Sequence, residues 1–111
     1  MSGRSSAPRL PFHPAADIEA AKEAEYLREQ DPRVALVFEV ALAKALTSVH
    51  RFPHIGPVIW RQDGYEVRQK RLLHRLRYSL LYAIVNGEIR VVAVAHHSRK
   101  PGYWVERLAT L

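Results

Sequence analysis

Two adjacent residues, Asn86 and Gly87, lie between two long apolar runs, and they constrain the fold more than any other feature of the chain. Both central positions of a type I′ turn need a positive φ, which asparagine and glycine adopt readily, so the pair predicts a β-hairpin. Its strands are residues 77–85 and 88–96. Because both runs are apolar on both faces, we expect them at the centre of a sheet that is covered on each side.

The first half of the chain has helical periodicity. From Pro14 onward one apolar stripe recurs at helical spacing, and it consists of Ala16, Ala20, Ala24 and Leu27. The polar positions of the same segment are expected to face solvent, and they are Glu19, Lys22, Glu23 and Arg28. Asp31 and Pro32 suit the N-cap and first turn of a second helix, whose apolar positions run from Val34 to Val49. Two prolines in 52–57 predict an irregular connection.

These elements predict a single α+β domain. Residues 9–12 suit an edge strand, because Pro11 cannot donate to a central ladder, and residues 66–73 suit the first strand of a meander. The expected fold is an N-terminal strand, an α-helical hairpin and a three-stranded antiparallel meander, in the order β-α-α-β-β-β, followed by a short C-terminal helix or turn. We expect a flexible tail at 1–8 and one domain over 9–111.

The charge of the chain is segregated. Its net charge is +6; residues 1–60 carry seven basic and seven acidic residues, whereas residues 61–100 carry nine basic and three acidic ones. Such a basic segment favours nucleic acid or an acidic protein as the partner. The chain has no cysteine, its first residues lack the apolar stretch of a secretion signal, and its apolar runs are too short to span a bilayer. We therefore expect a cytoplasmic protein without a membrane partner.

Six segments in order resemble one protein family. They are "FHPAADIEA", "FPHIGP", "YEVRQKRL", "HRLRYSLLYAI", "IRVVAVAH" and "RKPGYW", and they extend from Phe12 to Trp104. The chain resembles the RelE/ParE superfamily of toxins from type II toxin–antitoxin systems, and it is most similar to the ParE-like branch. The resemblance implies growth inhibition, a cognate antitoxin partner and a toxin–antitoxin hetero-oligomer. Members similar to RelE cut messenger RNA on the ribosome, and members similar to ParE poison DNA gyrase.

The candidate binding residues cluster late in the chain. For binding of the target or the antitoxin they are Arg68, Lys70, Arg71, Arg75, Arg77, Arg99, Lys100 and Tyr103. His74 lies within the same basic stretch. On an extended strand Arg68 and Lys70 share one face and Arg71 takes the other. Three interpretations remain open for the basic strand: catalysis, docking of an acidic antitoxin or target, and a solvated edge that resists aggregation.

The identity of any catalytic residue stays unknown at this point. The resemblance implies that an RNA-cutting member would use Lys70, Arg99 and Tyr103. However, Leu72 and Ser79 occupy positions where such members are expected to carry a second lysine and a key arginine. The pattern of residues 78–82 is similar to ParE-type chains instead. The leading hypothesis is a gyrase-binding toxin; the alternatives are a metal-independent, ribosome-dependent endoribonuclease and a non-toxic module that only binds an antitoxin.

Two histidines and two aromatic residues follow the last strand. His96 and His97 are adjacent, so an extended backbone points them to opposite faces, and one metal cannot easily take both. We expect a structural role for His96, an exposed His97, and no metal or cofactor. Pro101-Gly102 predicts a turn that delivers Tyr103 as an exposed aromatic and Trp104 as a lid on the core.

Overall fold

The computed structural model describes residues 10–72 and 75–111, and it is an α+β fold with the helices first. The predicted tail at 1–8, and also Leu73 and His74, lie outside the described residues. The elements are α1 (Pro14–Gln30), α2 (Pro32–Arg51), β1 (Val58–Gln62), β2 (Tyr65–Arg71), β3 (Tyr78–Val85), β4 (Glu88–His96) and a 3₁₀ helix, η1 (Val105–Thr110). In the described part of the chain, neither helix is long and apolar enough to cross a membrane.

The two helices form the predicted hairpin, and each begins at a side-chain cap. Nδ1 of His13 accepts a hydrogen bond from the Ala15 N–H (3.0 Å), and Oδ1 of Asp31 accepts one from the Arg33 N–H (2.9 Å). Each cap is followed by a proline, whose missing N–H costs nothing in the first turn. The predicted N-cap role of Asp31 is confirmed.

The sheet is a four-stranded antiparallel meander in the order β1-β2-β3-β4, so the prediction of three meander strands was wrong. The added strand, β1, is joined to β2 by a turn at Asp63 and Gly64 with φ values of 52° and 82°. The turn at Asn86 and Gly87 has φ values of 52° and 79°, as the type I′ prediction requires.

The predicted N-terminal strand is absent from the described residues and is replaced by one parallel bridge between Phe12 and Val91. The Val91 N–H donates to the Pro11 carbonyl and the His13 N–H donates to the Val91 carbonyl, both at 2.8 Å. The bridge cannot lengthen toward the helix because α1 begins at Pro14, and Pro11 itself has no N–H to give a ladder. The element order is therefore α-α-β-β-β-β rather than β-α-α-β-β-β.

The sheet separates two cores. Tyr78, Leu80 and Tyr82 of β3 face the helices, and the alternating residues Leu81 and Ala83 face the opposite side. That second core is closed by the C-terminal residues Trp104 and Leu108. The central strands are therefore covered on both faces, as their continuous apolar sequence predicts. Where the C-terminal cover ends, the second face of the sheet opens into a cleft.

Candidate functional site

The basic residues of β2 divide between the two faces of the sheet. Lys70 pairs with Leu80, which belongs to the helix-side core, whereas Arg71 pairs with Ser79 on the opposite face. Arg68 pairs with Tyr82 and shares the helix side with Lys70. The predicted alternation is confirmed: Lys70 and Arg71 lie on opposite faces of β2, although both side chains also border the depression beside α2.

Arg68 is engaged inside the fold. Its side chain is 17 % exposed, and its guanidinium donates to the carbonyls of Gly56 (2.7 Å) and His54 (3.3 Å). The Tyr82 hydroxyl donates to the Pro53 carbonyl at 2.7 Å in the same loop. These bonds hold the irregular segment 52–57 against the sheet. Arg68 therefore acts on the architecture of the loop, and its donors are directed inward.

The other predicted residues are divided among three surfaces, and Arg71 and Arg99 each border two of them. Lys70 lines a small depression beside α2 together with Lys44 and Ser48. Arg75 and Arg77, in the turn between β2 and β3, line a groove that also contains Glu23 and Tyr26 of α1. Neither surface includes Lys100 or Tyr103. The predicted set is thus not one site.

A third surface is an open cleft of about 480 Å³ on the second face of the sheet. Its apolar wall includes Trp60, whose ring packs edge-to-face on Trp104 with centroids 5.5 Å apart. Its polar lining consists of Gln69, Arg71, Ser79, His96, His97, Arg99, Lys100 and Tyr103. No aspartate or glutamate is among these lining residues, so the formally charged side chains of the lining, Arg71, Arg99 and Lys100, are all cations.

A hydrogen-bonded chain crosses the floor of this cleft. Nε2 of Gln69 donates to Oγ of Ser79 at 2.9 Å, and Oγ of Ser79 lies 2.9 Å from Nε2 of His97. Ser79 is 2 % exposed, whereas His97 is at the surface, as predicted. Partial burial and the nearby Arg71 cation lower the pKa of His97 below its usual value. The neutral imidazole is therefore favoured near pH 7.

A cluster around Glu19 fixes the opposite wall of the cleft. The carboxylate of Glu19 accepts hydrogen bonds from the Tyr103 hydroxyl, from Nη1 of Arg107 (3.0 Å) and from the Val94 N–H (3.0 Å). Arg99 lies 3.6 Å from the same carboxylate, and its guanidinium lies over the Tyr103 ring at 3.9 Å. Burial and the Glu19 carboxylate raise the pKa of Tyr103 above its usual range.

Sequence reasoning missed Glu19, which was expected to face solvent but is 8 % exposed. The available signal is its spacing: Glu19 is three residues after Ala16 and one before Ala20, inside the apolar stripe of α1. A carboxylate in such a stripe is buried only with partners. Those partners come from the far end of the chain, so no local pattern points to them.

The remaining predictions for the strand end are confirmed in part. His96 and His97 point to opposite faces; His96 is structural, because its Nδ1 lies 2.7 Å from the Ser98 hydroxyl and its ring packs on Tyr78. Trp104 is 4 % exposed and covers the core. Tyr103, expected to be exposed, is half-buried with its hydroxyl directed to Glu19.

Both helices and all four strands lie within a segment of the chain that matches a protein-family model. Residues 10–101 match the family model described as the ParE toxin of the type II toxin–antitoxin system, parDE. The chain belongs to the ParE toxin family. A comparison with curated individual proteins found no match.

In this ParE-family toxin the three residues of the nuclease hypothesis are not assembled. Lys70 faces α2, whereas Arg99 and Tyr103 face the cleft on the other side of the sheet. Leu72 is buried in the helix-side core and Ser79 is held by Gln69 and His97. Among residues 10–72 and 75–111, no three histidine or acidic side chains are grouped to hold a metal ion.

Proposed function

We propose that this protein inhibits growth by binding DNA gyrase and that a cognate antitoxin neutralises it. Membership of the ParE toxin family supports the toxin role. The observation that favours a gyrase-type over a ribosome-type target is the separation of Lys70 from Arg99 and Tyr103 by the sheet. Metal-independent RNA cleavage needs cations and a proton donor around one phosphate, and these three residues do not converge on one point.

The proposed target-docking surface is the exposed loop after β4. Arg99 and Lys100 lie there at the mouth of the cleft, next to the Pro101-Gly102 turn. The Glu19 cluster holds Arg99 from behind while leaving its side chain 47 % exposed. Two adjacent exposed cations beside a Pro-Gly turn, one of them held by Glu19, suit recognition of an acidic protein surface.

The proposed antitoxin segment is acidic and apolar by turns and lies against the sheet and the basic stretch from Arg68 to Arg77. The charge excess of residues 61–100 supports this partner chemistry. With Arg68 directed inward and Lys70 half-buried, the exposed cations in the described part of that stretch are Arg71, Arg75 and Arg77. The toxin and antitoxin would form a hetero-oligomer.

Induced expression in bacteria tests the proposal, with purified gyrase and mapping of mRNA 5′ ends as readouts. We expect growth arrest that the neighbouring gene relieves, inhibited supercoiling, and no new codon-specific mRNA ends. Lys100→Glu should reduce toxicity, whereas Arg33→Glu, the same change at a side chain 91 % exposed on α2, should not. Lys70→Ala should stay toxic.

Two results would overturn the proposal in different ways. Loss of toxicity in Lys70→Ala, with normal folding and antitoxin binding, would favour the endoribonuclease. Unimpaired growth with verified soluble expression would favour the non-toxic module.

A further inference from the structure

The cleft on the second face of the sheet contains polar side chains where apolar ones would pack. The neighbouring residues on this face are Val67, Leu81, Ala83, Ala93 and Ala95. Ser79 lies among them at 2 % exposure, and a buried hydroxyl costs free energy unless it is hydrogen-bonded. Gln69 and His97 supply those bonds from β2 and from the residue after β4. These hydrogen bonds from Gln69 through Ser79 hold the His97 ring at the floor of the cleft.

Three cations line the same cleft as that ring, and two of them have no internal partner among the described residues. Among the described residues, neither Arg71 nor Lys100 has a carboxylate within ion-pair distance, although other arginines of the chain are paired. Arg99 is the third cation of the lining, and it keeps about half of its side chain exposed beside Glu19. Three cations and a fixed imidazole thus line one cavity that has no acidic lining residue. Such a cavity attracts an anion with several acceptor oxygens.

The wall of the cleft narrows the class of anion. Trp60 and Trp104 both line the cleft, and their rings pack edge-to-face. Planar bases stack on such rings, whereas a run of carboxylate side chains offers no aromatic surface to pack against them. Arginine matches phosphate oxygens with two parallel hydrogen bonds. The volume, about 480 Å³, is in the usual range for small-molecule sites.

We propose that this cleft binds the phosphate group of a nucleotide, with the base against Trp60 and the phosphate among Arg71, His97 and Lys100. The ligand is a free mononucleotide or one nucleotide of a single strand, because both present the same phosphate and base. The inference concerns binding and no chemical step. It does not depend on gyrase being the target, since binding is measured on the protein alone; Lys100 belongs to both surfaces, whereas Arg71 lies outside the proposed docking loop.

Titrations of the full-length protein, followed by amide NMR shifts and calorimetry, test the site. The probes are AMP, adenosine, an oligothymidylate of about eight nucleotides, and an oligoglutamate peptide of equal length. We expect AMP to shift the amides of Ser79, His97 and Lys100, and adenosine to bind far more weakly. Equal affinity for AMP and the oligonucleotide would identify a mononucleotide site, and tighter binding of the oligonucleotide would identify a single-strand site.

Variants then localise the binding. Arg71→Gln and Lys100→Gln should each weaken AMP binding roughly tenfold, the value of one charge-assisted contact. Arg33→Gln removes the same charge from exposed α2 and should leave binding unchanged. Equal loss in all three variants, or absence of binding of both AMP and the oligonucleotide, would overturn the proposal. Tighter binding of oligoglutamate than of AMP would overturn it in favour of a peptide-docking cleft.

Discussion

Nη1 of Arg107 lies 3.0 Å from Oε1 of Glu19, although the two residues are 88 positions apart in the sequence. Their side chains are 16 % and 8 % exposed, so this ion pair is largely removed from water. Nη1 of Arg107 also donates to the Val92 carbonyl, and Glu19 accepts from the Val94 N–H, each at 3.0 Å. The pair therefore forms hydrogen bonds with backbone groups of β4 that are otherwise available for pairing with another strand. It also joins η1 to α1.

Removing the Glu19 charge should destabilise the protein strongly. In Glu19→Gln the side chain keeps its size, but Arg107 is left as a buried cation without its counter-ion, which typically costs about 3–5 kcal/mol. Urea unfolding followed by circular dichroism measures the loss. Glu25→Gln is the matched control, because Glu25 pairs with Arg28 while 60 % exposed and should cost less than about 1 kcal/mol. Equal losses in the two variants would contradict this account of Glu19.

Gly56 should tolerate no side chain. A Cβ atom there would lie 2.3 Å from the carbonyl oxygen of Gln69, a backbone atom of β2 that cannot rotate away. Gly56→Ala should therefore cost about 1–3 kcal/mol through overpacking, with the loop at 52–57 displaced from the sheet. Gly64 has open space around it but a φ of 82°, so Gly64→Ala tests backbone strain alone and should cost about 1–2 kcal/mol. An unchanged unfolding midpoint for Gly56→Ala would refute the close approach.

Local patterns predicted most of the fold, and one such pattern was missed. Asn86-Gly87 predicted the last hairpin because two apolar runs flank it, whereas Asp63-Gly64 makes the same turn but is flanked by polar residues, among them Arg61, Gln62 and Glu66. The apolar contrast that marks a strand is absent from β1, which lies at the sheet edge with three of its five residues exposed. The turn chemistry alone would have predicted the fourth strand.

The candidate site was less predictable, for a different reason. Alternation along β2 placed Lys70 and Arg71 on opposite faces correctly, because that follows from the pleat. The register between β2, β3 and the loop after β4 decides which cations lie in the same cleft as His97 and Ser79. No single segment of the sequence determines such a long-range register. Glu19 was misplaced for the same reason, since its partners come from the end of the chain.

Acid should destabilise the folded protein from the neutral range downward. Partial burial and nearby cations lower the pKa values of His13 and His97 below the ordinary value of 6.5. Below pH 6.5 these two histidines therefore bind protons more readily in the unfolded chain than in the folded protein. Their contribution to stability is complete above pH 6.5 and is lost as pH falls toward the folded-state pKa values. Urea midpoints measured between pH 7.5 and about pH 5 should therefore decrease.

The double variant His13→Asn, His97→Gln isolates that effect. Asparagine can still cap α1, and glutamine can still bond the Ser79 hydroxyl, but neither titrates in this range. The variant should show a flatter pH profile than the wild type above about pH 5, where carboxylates begin to contribute. A profile of unchanged slope would show that these two histidines are not the groups responsible.

Binding of the antitoxin should weaken as salt rises. The proposed contact places an acidic segment over Arg71, Arg75 and Arg77, and charges at the edge of an interface are screened over a Debye length of about 8–10 Å. The complex is obtained by co-expressing the chain with the product of its neighbouring gene, and affinity is then measured by calorimetry at low and high salt. Arg75→Gln should lower the affinity and flatten its salt dependence, whereas Arg33→Gln on exposed α2 should change neither.

An affinity that is the same at low and high salt would mean that the antitoxin binds through an apolar surface instead. The exposed residues Leu36, Val37 and Val40 of α2 would then be the first to substitute.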